Sequence, residues 1–133
     1  MTTVLADTSV WVAGLRDRES WVRDRITADA PIAWTEPVLM EVLSGTRSDR
    51  EREATRQFLA RGPLLPFSTV TDFEGAAEVY RVARSRGLTS SSHVDCMIIA
   101  VALRTDATLI TLDRQQAVIA EIFGVEVGDA TAP

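Results

Sequence analysis

Residues 4–9 read VLADTS, an apolar run that stops abruptly at a carboxylate, Asp7, and continues with two hydroxyl residues. Such a run is typical of a buried strand in a parallel sheet. Ligand sites in open α/β sheets lie beyond the carboxyl ends of the strands, so Asp7 is a candidate site residue by position as well as by chemistry. The alternative is that Asp7 or Thr8 caps the helix that follows.

The rest of the chain alternates short β candidates with helices. Apolar runs and turn signals predict further strands at residues 32–34, 64–67, 108–111 and 125–127, with Pro66 confining the second of these to an edge. Helices are predicted at residues 9–15, 19–28, 36–45, 46–61, 72–86, 94–103 and 114–123. Three of them have candidate N-caps: Thr35, Asp49 and Ser92, the last close to a capping box with Asp95. This alternation predicts an α/β fold with a parallel sheet and helices on both faces.

Size and composition set limits on the class of protein. The 133 residues are 46% hydrophobic, which predicts one compact domain over residues 1–133. No apolar run reaches membrane-spanning length and the first residues lack a signal-peptide layout, so we expect a cytoplasmic protein. The single cysteine, Cys96, excludes an internal disulfide, and its apolar neighbours indicate a small core residue rather than a nucleophile.

The charge of the chain argues against broad attraction to nucleic acid. The net charge is −5, although all fourteen basic residues are arginine, so bidentate phosphate contacts remain available locally. A GC-rich genome would explain most of these arginines without any function. Residues 88–133 hold six acids against two bases, which indicates a need for concentrated negative charge in that part of the chain.

Four acids occupy positions that can converge at one edge of the predicted sheet. Asp7 and Asp113 each follow a β run, Asp95 lies in the first turn of an apolar helix, and Glu41 interrupts another apolar helix. Clustered carboxylates repel one another, so this arrangement makes sense only around a cation. Oxygen ligands without cysteine or clustered histidine favour Mg²⁺ or Mn²⁺ over Zn²⁺. Singly, each acid also has a structural explanation: a cap for Asp7 and Asp95, a turn for Asp113, and a buried ion pair for Glu41.

Four spaced motifs, VLADTSVWV, TEPVLMEVLSG, SHVDCMIIAVA and LITLDRQQ, carry a resemblance to the PIN-domain ribonucleases, most closely to the VapC toxins of type II toxin–antitoxin pairs. The resemblance covers nearly the whole chain. It implies a three-layer α/β/α fold with a central, mostly parallel, five-stranded sheet. It also implies Mg²⁺- or Mn²⁺-dependent cleavage of RNA such as tRNA or rRNA, a VapB-type antitoxin that occludes the site, and a homodimer.

The resemblance also assigns site residues. The catalytic and metal-binding acidic quartet corresponds to Asp7, Glu41, Asp95 and Asp113. Hydroxyl positions beside the quartet correspond to Ser9 or Thr8, and to Thr111, and Ser9 and Thr111 are candidate substrate-binding residues.

Four positions near the quartet are less clearly assigned. The family often has Asp and then Phe where this chain has Gln115 and Gln116, so an auxiliary role of that Asp is in doubt. Arg114 is a candidate substrate contact that could stabilise the transition state, or else a solvent-exposed residue at a helix start. His93 is a candidate phosphate or base contact, or else a polar turn residue.

Two other functions are compatible with parts of the pattern. Phosphatases of the haloacid dehalogenase type also begin with an aspartate at a strand end, but they need a second acid two residues later, where this chain has Ser9. A degenerate PIN domain that acts as a binding module is the non-enzymatic alternative, and the four intact acids argue against it.

Overall fold

The structure, a computed structural model, describes residues 3–16 and 32–128. In chain order the described elements are β1 (Val4–Ala6), α1 (Thr8–Arg16), α2 (Glu36–Ser44), α3 (Asp49–Leu59), α4 (Thr69–Ser85), α5 (His93–Thr105), β2 (Thr108–Ile110) and α6 (Arg114–Ile122). The helix predicted at residues 19–28 lies outside the described residues. The α/β class predicted from the alternating pattern is confirmed.

The sheet is parallel and shorter than expected. Strands β1 and β2 pair with Leu5 opposite Leu109. Three further parallel segments join them only through single bridges, which are Ala33 to Leu5, Leu64 to Trp34, and Val127 to Leu109. Five parallel segments therefore lie side by side, but within the described ranges only two are strands, and a five-stranded sheet is not confirmed. Pro63 and Pro66 flank Leu64, which forms the bridge to Trp34 at one edge of the sheet. Because proline has no N–H to donate, the row of backbone hydrogen bonds is short at this edge.

Side-chain hydrogen bonds cap several of the described helices. Ser92 and Asp95 form the predicted capping box at α5. The predicted cap of α3 is wrong by one residue: the hydroxyl of Ser48 accepts a hydrogen bond from the N–H of Glu51, and Asp49 is the first helical residue. Helix α4 begins at Thr69, three residues before the predicted start, because the Asp72 carboxylate turns back to accept from the N–H of Ser68 at 2.6 Å.

Helices α4 and α5 form an antiparallel hairpin that packs closely along its length. At one end the guanidinium of Arg104 binds the carboxylate of Asp72, which is 1% exposed, and donates to the carbonyl of Pro66 at 2.6 Å. In the middle, a Cβ on Gly75 would lie 3.3 Å from that of Ala100, so the absence of a side chain allows the close approach. The other end of the hairpin brings the C-terminal part of α4 to the start of α5.

The hydrophobic core lies between the sheet and the helices. Its largest fully buried side chains are Trp11, Leu5, Ile32, Leu59, Ile98, Ile99, Leu109 and Ile119. Cys96 is also fully buried, which confirms its prediction as a core residue. Among the described helices, none is long and apolar enough to cross a membrane.

Candidate functional site

Asp7 lies directly after β1 and is 3% exposed. Its Oδ1 accepts hydrogen bonds from the hydroxyl of Ser9 at 2.6 Å and from the N–H of Val10 at 3.2 Å. The bond from Val10 shows that Asp7 caps α1, as the alternative interpretation predicted. Burial nevertheless raises the pKa of the Asp7 carboxyl above its usual value, the bonds from Ser9 and Thr111 oppose that rise, and the charge of Asp95 adds to it.

Thr111 connects the ends of the two strands. Its hydroxyl donates to Oδ2 of Asp7 at 2.6 Å and accepts from the N–H of Asp113 at 3.0 Å. The N–H of Leu112 in turn donates to the hydroxyl of Ser9 at 3.0 Å. The hydroxyls at positions 9 and 111 therefore both contact Asp7, and substrate binding by Ser9 and Thr111 stays a prediction.

Asp95 and Asp113 each cap a helix. Oδ2 of Asp95 accepts from the N–H of Ser92 at 3.0 Å, and Oδ1 of Asp113 accepts from the N–H groups of Gln115 and Gln116 at 2.9 and 3.3 Å. The cap considered for Asp95 is thus found, whereas Asp113, for which the sequence suggested a turn, is the N-cap of α6. Each cap engages one carboxylate oxygen, so capping leaves a second oxygen of each side chain for another ligand.

Glu41 lies in α2 and is half-buried. Its Oε1 accepts a hydrogen bond from the hydroxyl of Thr8 at 2.5 Å, which ties α2 to the start of α1. Within residues 3–16 and 32–128 Glu41 makes no ion pair, so the buried ion pair considered from the sequence is not found. Glu41 also lines a cleft of about 660 Å³ between α1, α2 and α3.

The donor atoms at this edge suit a hard divalent cation, because they are carboxylate and hydroxyl oxygens. Thr35 adds an unusual feature: it follows the segment that pairs with β1, is fully buried, and its hydroxyl has no hydrogen-bond partner among residues 3–16 and 32–128. Such an orphaned group is satisfied when water or another ligand binds. In the described part of the chain, however, no three His, Cys, Asp or Glu side chains converge closely enough to hold a metal ion. The four-carboxylate cage remains a prediction.

The sequence missed Gln116 and Gln115 as parts of the site. Gln116 is fully buried; its Oε1 lies 3.0 Å from the Thr111 hydroxyl, and its Nε2 donates to the backbone oxygen of Asp95 at 3.4 Å. Gln115 accepts from the N–H of Ser90 at 2.8 Å and from the same residue's hydroxyl. These two amides join the start of α6 to the start of α5. A pair of glutamines two and three residues after Asp113 was the available signal, but its partners are distant in sequence.

The remaining candidates, Arg114 and His93, are exposed at the starts of α6 and α5. The imidazole of His93 stacks on Tyr80, with ring centroids 4.2 Å apart and an interplanar angle of 12°. Cys96 follows Asp95 in α5, and burial raises the pKa of its thiol to about 11, with Asp95 adding to the rise and Arg84 opposing it.

A buried aspartate lies at the carboxyl edge of a parallel α/β sheet in this protein, and this arrangement agrees with the family that most of the chain matches. The chain belongs to the PIN domain family, whose model matches residues 4–122.

Particular relatives are also similar over most of their length. The chain is 36% identical over 128 residues to VapC ribonuclease Mb1587 from Mycobacterium bovis and, equally, to Ribonuclease VapC11 from Mycobacterium tuberculosis, covering 92% of this chain and 96% of each relative. Among solved structures, DNA-bound VapBC from Salmonella typhimurium is similar with a TM-score of 0.78 and 18% identity, over 98% of this chain and 99% of that chain. VapBC-1 from nontypeable Haemophilus influenzae has a TM-score of 0.77 and 16% identity, over 98% and 100%. The family predicted from the four motifs is confirmed.

Proposed function

We propose that this protein is a metal-dependent endoribonuclease and the toxin of a toxin–antitoxin pair. The observation that carries the proposal is the buried Asp7 carboxylate, which is fixed on both oxygens at the carboxyl edge of the sheet. The printed names of relatives that are 36% identical support the same activity. The substrate is RNA, with tRNA and rRNA as the expected targets.

The metal site in this proposal consists of Asp7, Glu41, Asp95 and Asp113. Bound Mg²⁺ or Mn²⁺ would neutralise charge on the scissile phosphate and lower the pKa of an attacking water. The raised pKa of Asp7 is consistent with this role, because a nearby cation offsets the cost of ionising a buried carboxyl.

The chain's own residues divide the remaining work. Ser9 and Thr111 hold the Asp7 carboxylate in one orientation. Glu41 is the group we assign to accept the proton of the attacking water, because it caps no helix and is oriented by Thr8. Arg114, exposed beside Asp113, is assigned to bind a phosphate oxygen of the RNA.

The proposed protein partner is a VapB-type antitoxin. Structural neighbours of this chain are described as VapBC complexes, and those names support a partner of this kind. Since the site is acidic, the antitoxin is expected to insert an arginine or lysine among the carboxylates and compete with metal. A homodimer of the toxin is part of the same proposal and is tested by light scattering of the purified protein.

The test is cleavage of labelled RNA in Mn²⁺ and Mg²⁺ by the wild type, by Asp7→Asn and by a matched control, Asp106→Asn. Asn at position 7 keeps the size of the side chain but is a poor ligand for a hard cation, so we expect cleavage to be abolished. Asp106 is exposed at the end of α5 with φ 55°, a conformation that Asn also adopts, so the control should cut at the wild-type rate. Wild-type cleavage by Asp7→Asn would overturn the proposal.

Expression in cells tests the toxin role separately. The wild type alone should arrest growth, and co-expression of the antitoxin should restore it, whereas Asp95→Asn alone should be harmless. The two alternatives predict other results. A phosphatase would hydrolyse phosphomonoesters and leave RNA intact, and a binding module would show no metal-dependent cleavage of either substrate.

A further inference from the structure

An aromatic and cationic cluster lies beside the start of α5, outside the acidic site. It consists of His93, Tyr80 and Arg84. The His93 and Tyr80 rings are nearly parallel at 4.2 Å, and the guanidinium carbon of Arg84 lies over the Tyr80 ring, 4.7 Å from its centroid. His93 and Arg84 are exposed and Tyr80 is half-buried. The mechanism proposed above uses none of the three residues.

The cluster is close to the proposed scissile site. His93 precedes Asp95 by two residues in the first turn of α5. Burial raises the pKa of Cys96, the residue after Asp95, and the positive charge of Arg84 opposes that rise, so Arg84 also lies near this turn. The turn that leads into His93 is held by Gln115, which binds Ser90 and thereby fixes this turn to the start of α6. The imidazole is therefore held in place from two sides, by the Tyr80 ring and by the clamped turn.

We propose that His93, supported by Tyr80 and Arg84, is a stacking subsite for an unpaired nucleobase of single-stranded RNA next to the cleaved phosphodiester. This inference rests on the proposed ribonuclease function and identifies residues that would position the RNA substrate. Exposed rings that are already fixed lose little entropy when a base stacks on them. With a net charge of −5, the chain lacks broad long-range attraction to RNA, so local contacts such as base stacking have to contribute to binding.

Unpaired RNA is the form that fits this surface. Bases in a duplex are stacked on one another and are not available to a protein ring, whereas bases in loops and single strands stack on aromatic or histidine side chains. A nearby guanidinium adds a phosphate contact in the same nucleotide.

The experiment measures binding of a fluorescently labelled single-stranded RNA and of the corresponding duplex in EDTA, where cleavage is absent. His93→Ala should raise Kd for the single strand by about 5- to 100-fold, the effect of losing one stacked base, and should leave duplex binding unchanged. His93→Phe keeps a flat ring and should restore binding to within about twofold of the wild type. Arg84→Gln should weaken binding and reduce its salt dependence by about one charge.

A matched control is available on α4, the helix that carries Tyr80. Phe73 forms an edge-to-face pair with Phe67 at the opposite end of α4, with centroids 4.8 Å apart, and is 56% exposed. It lies seven residues before Tyr80, roughly 10 Å along the helix, so Phe73→Ala removes an exposed ring of the same hairpin and should leave RNA binding unchanged. Thermal melts of all variants identify any loss of folding.

The outcomes separate the subsite from the proposed function. If His93→Ala binds single strands as the wild type does, if His93→Phe is as weak as His93→Ala, or if the wild type binds no single-stranded RNA, the subsite is overturned. Steady-state cleavage in Mn²⁺ gives the second measurement, where His93→Ala should raise KM with little change in kcat. A wild type that binds RNA through His93 but does not cut it would refute the ribonuclease and keep the subsite. If His93→Ala cleaves RNA with an unchanged KM, the ribonuclease function stands and the subsite is refuted.

Discussion

The hydroxyl of Thr111 donates a 2.6 Å hydrogen bond to Oδ2 of Asp7, joining two buried side chains that are 104 residues apart in the chain. Asp7 directly follows β1 and Thr111 directly follows β2, and the two strands are paired in parallel. Pairing of neighbouring strands thus places a carboxylate and its donor at the same edge. The site consequently depends on the register of this one strand pair.

Replacing Thr111 with valine should weaken both the fold and the site. The variant keeps the shape of the side chain but removes the donor to Asp7 and the acceptor for the N–H of Asp113. We expect the free energy of unfolding to fall by about 1–3 kcal/mol, because buried polar groups lose their partners. Urea unfolding measures the change. The same substitution at Thr108, half-buried in β2, is the control, and equal losses in the two variants would show that the bond to Asp7 is not the cause.

The raised pKa of Asp7 predicts a dependence of stability on pH. The unfolded carboxyl has a pKa of about 3.9, and the folded one is higher, so between these values the folded state binds more protons. Stability should therefore fall as pH rises from about 4 through the folded pKa, and stay lower above it. Asp7→Asn should remove this decline. Urea unfolding of both proteins at stepped pH decides the matter, and parallel profiles would contradict the prediction.

Substitutions of Asp95 distinguish a helix-capping role of this residue from a metal-binding role. Its carboxylate accepts from the N–H of Ser92, a bond that an amide oxygen also makes, so Asp95→Asn should change stability by less than about 0.5 kcal/mol, and Asp95→Ala should cost about 1 kcal/mol. Mn²⁺ at roughly 100 times its Kd should stabilise the wild type by about 2.7 kcal/mol. Thermal melts with EDTA and with Mn²⁺ should show a smaller metal shift in Asp95→Asn. A full shift in that variant would remove Asp95 from the metal ligands.

Cys96 should react slowly with thiol reagents in the native protein. Its side chain is fully buried and burial raises its pKa to about 11, so little thiolate forms near neutral pH. A colorimetric disulfide reagent should label it rapidly in urea and slowly in buffer. Rapid labelling of the native protein at neutral pH would show that α5 is more accessible than its packing indicates.

The ion pair between Asp72 and Arg104 should contribute strongly to stability. Asp72 is buried and also binds the N–H of Ser68, so Asp72→Ala removes the acceptor of that N–H and the carboxylate that pairs with Arg104, and should cost about 2–3 kcal/mol. The matched control is Glu78→Ala, which removes an exposed pair with Arg81 on the same helix and should cost less than about 0.5 kcal/mol. Chemical denaturation compares the two, and equal costs would contradict the prediction.

Signals that act over a few residues were readable directly from the sequence. The apolar run before Asp7 predicted β1, and the pattern from Ser92 to Asp95 predicted a capping box that the structure contains. The spacing of the four acids, together with the motifs around them, identified the family. Capping and strand propensity depend on near neighbours in the chain, so a single sequence expresses them clearly.

Tertiary packing decided what each acid contacts. The sequence placed Asp7 at a strand end, but only the pairing of β1 with β2 gave it Thr111 as a donor, and only the α4–α5 hairpin buried Asp72 against Arg104. Gln116 stood out in the sequence only as a departure from the family pattern, yet the fold buries it completely, with Thr111 and the backbone of Asp95 as its partners. Burial and hydrogen-bond partners come from segments tens of residues away, and their energies depend on which groups exclude water. Local sequence patterns do not show which groups are shielded from water. The partners of these side chains could therefore be identified only from the tertiary structure.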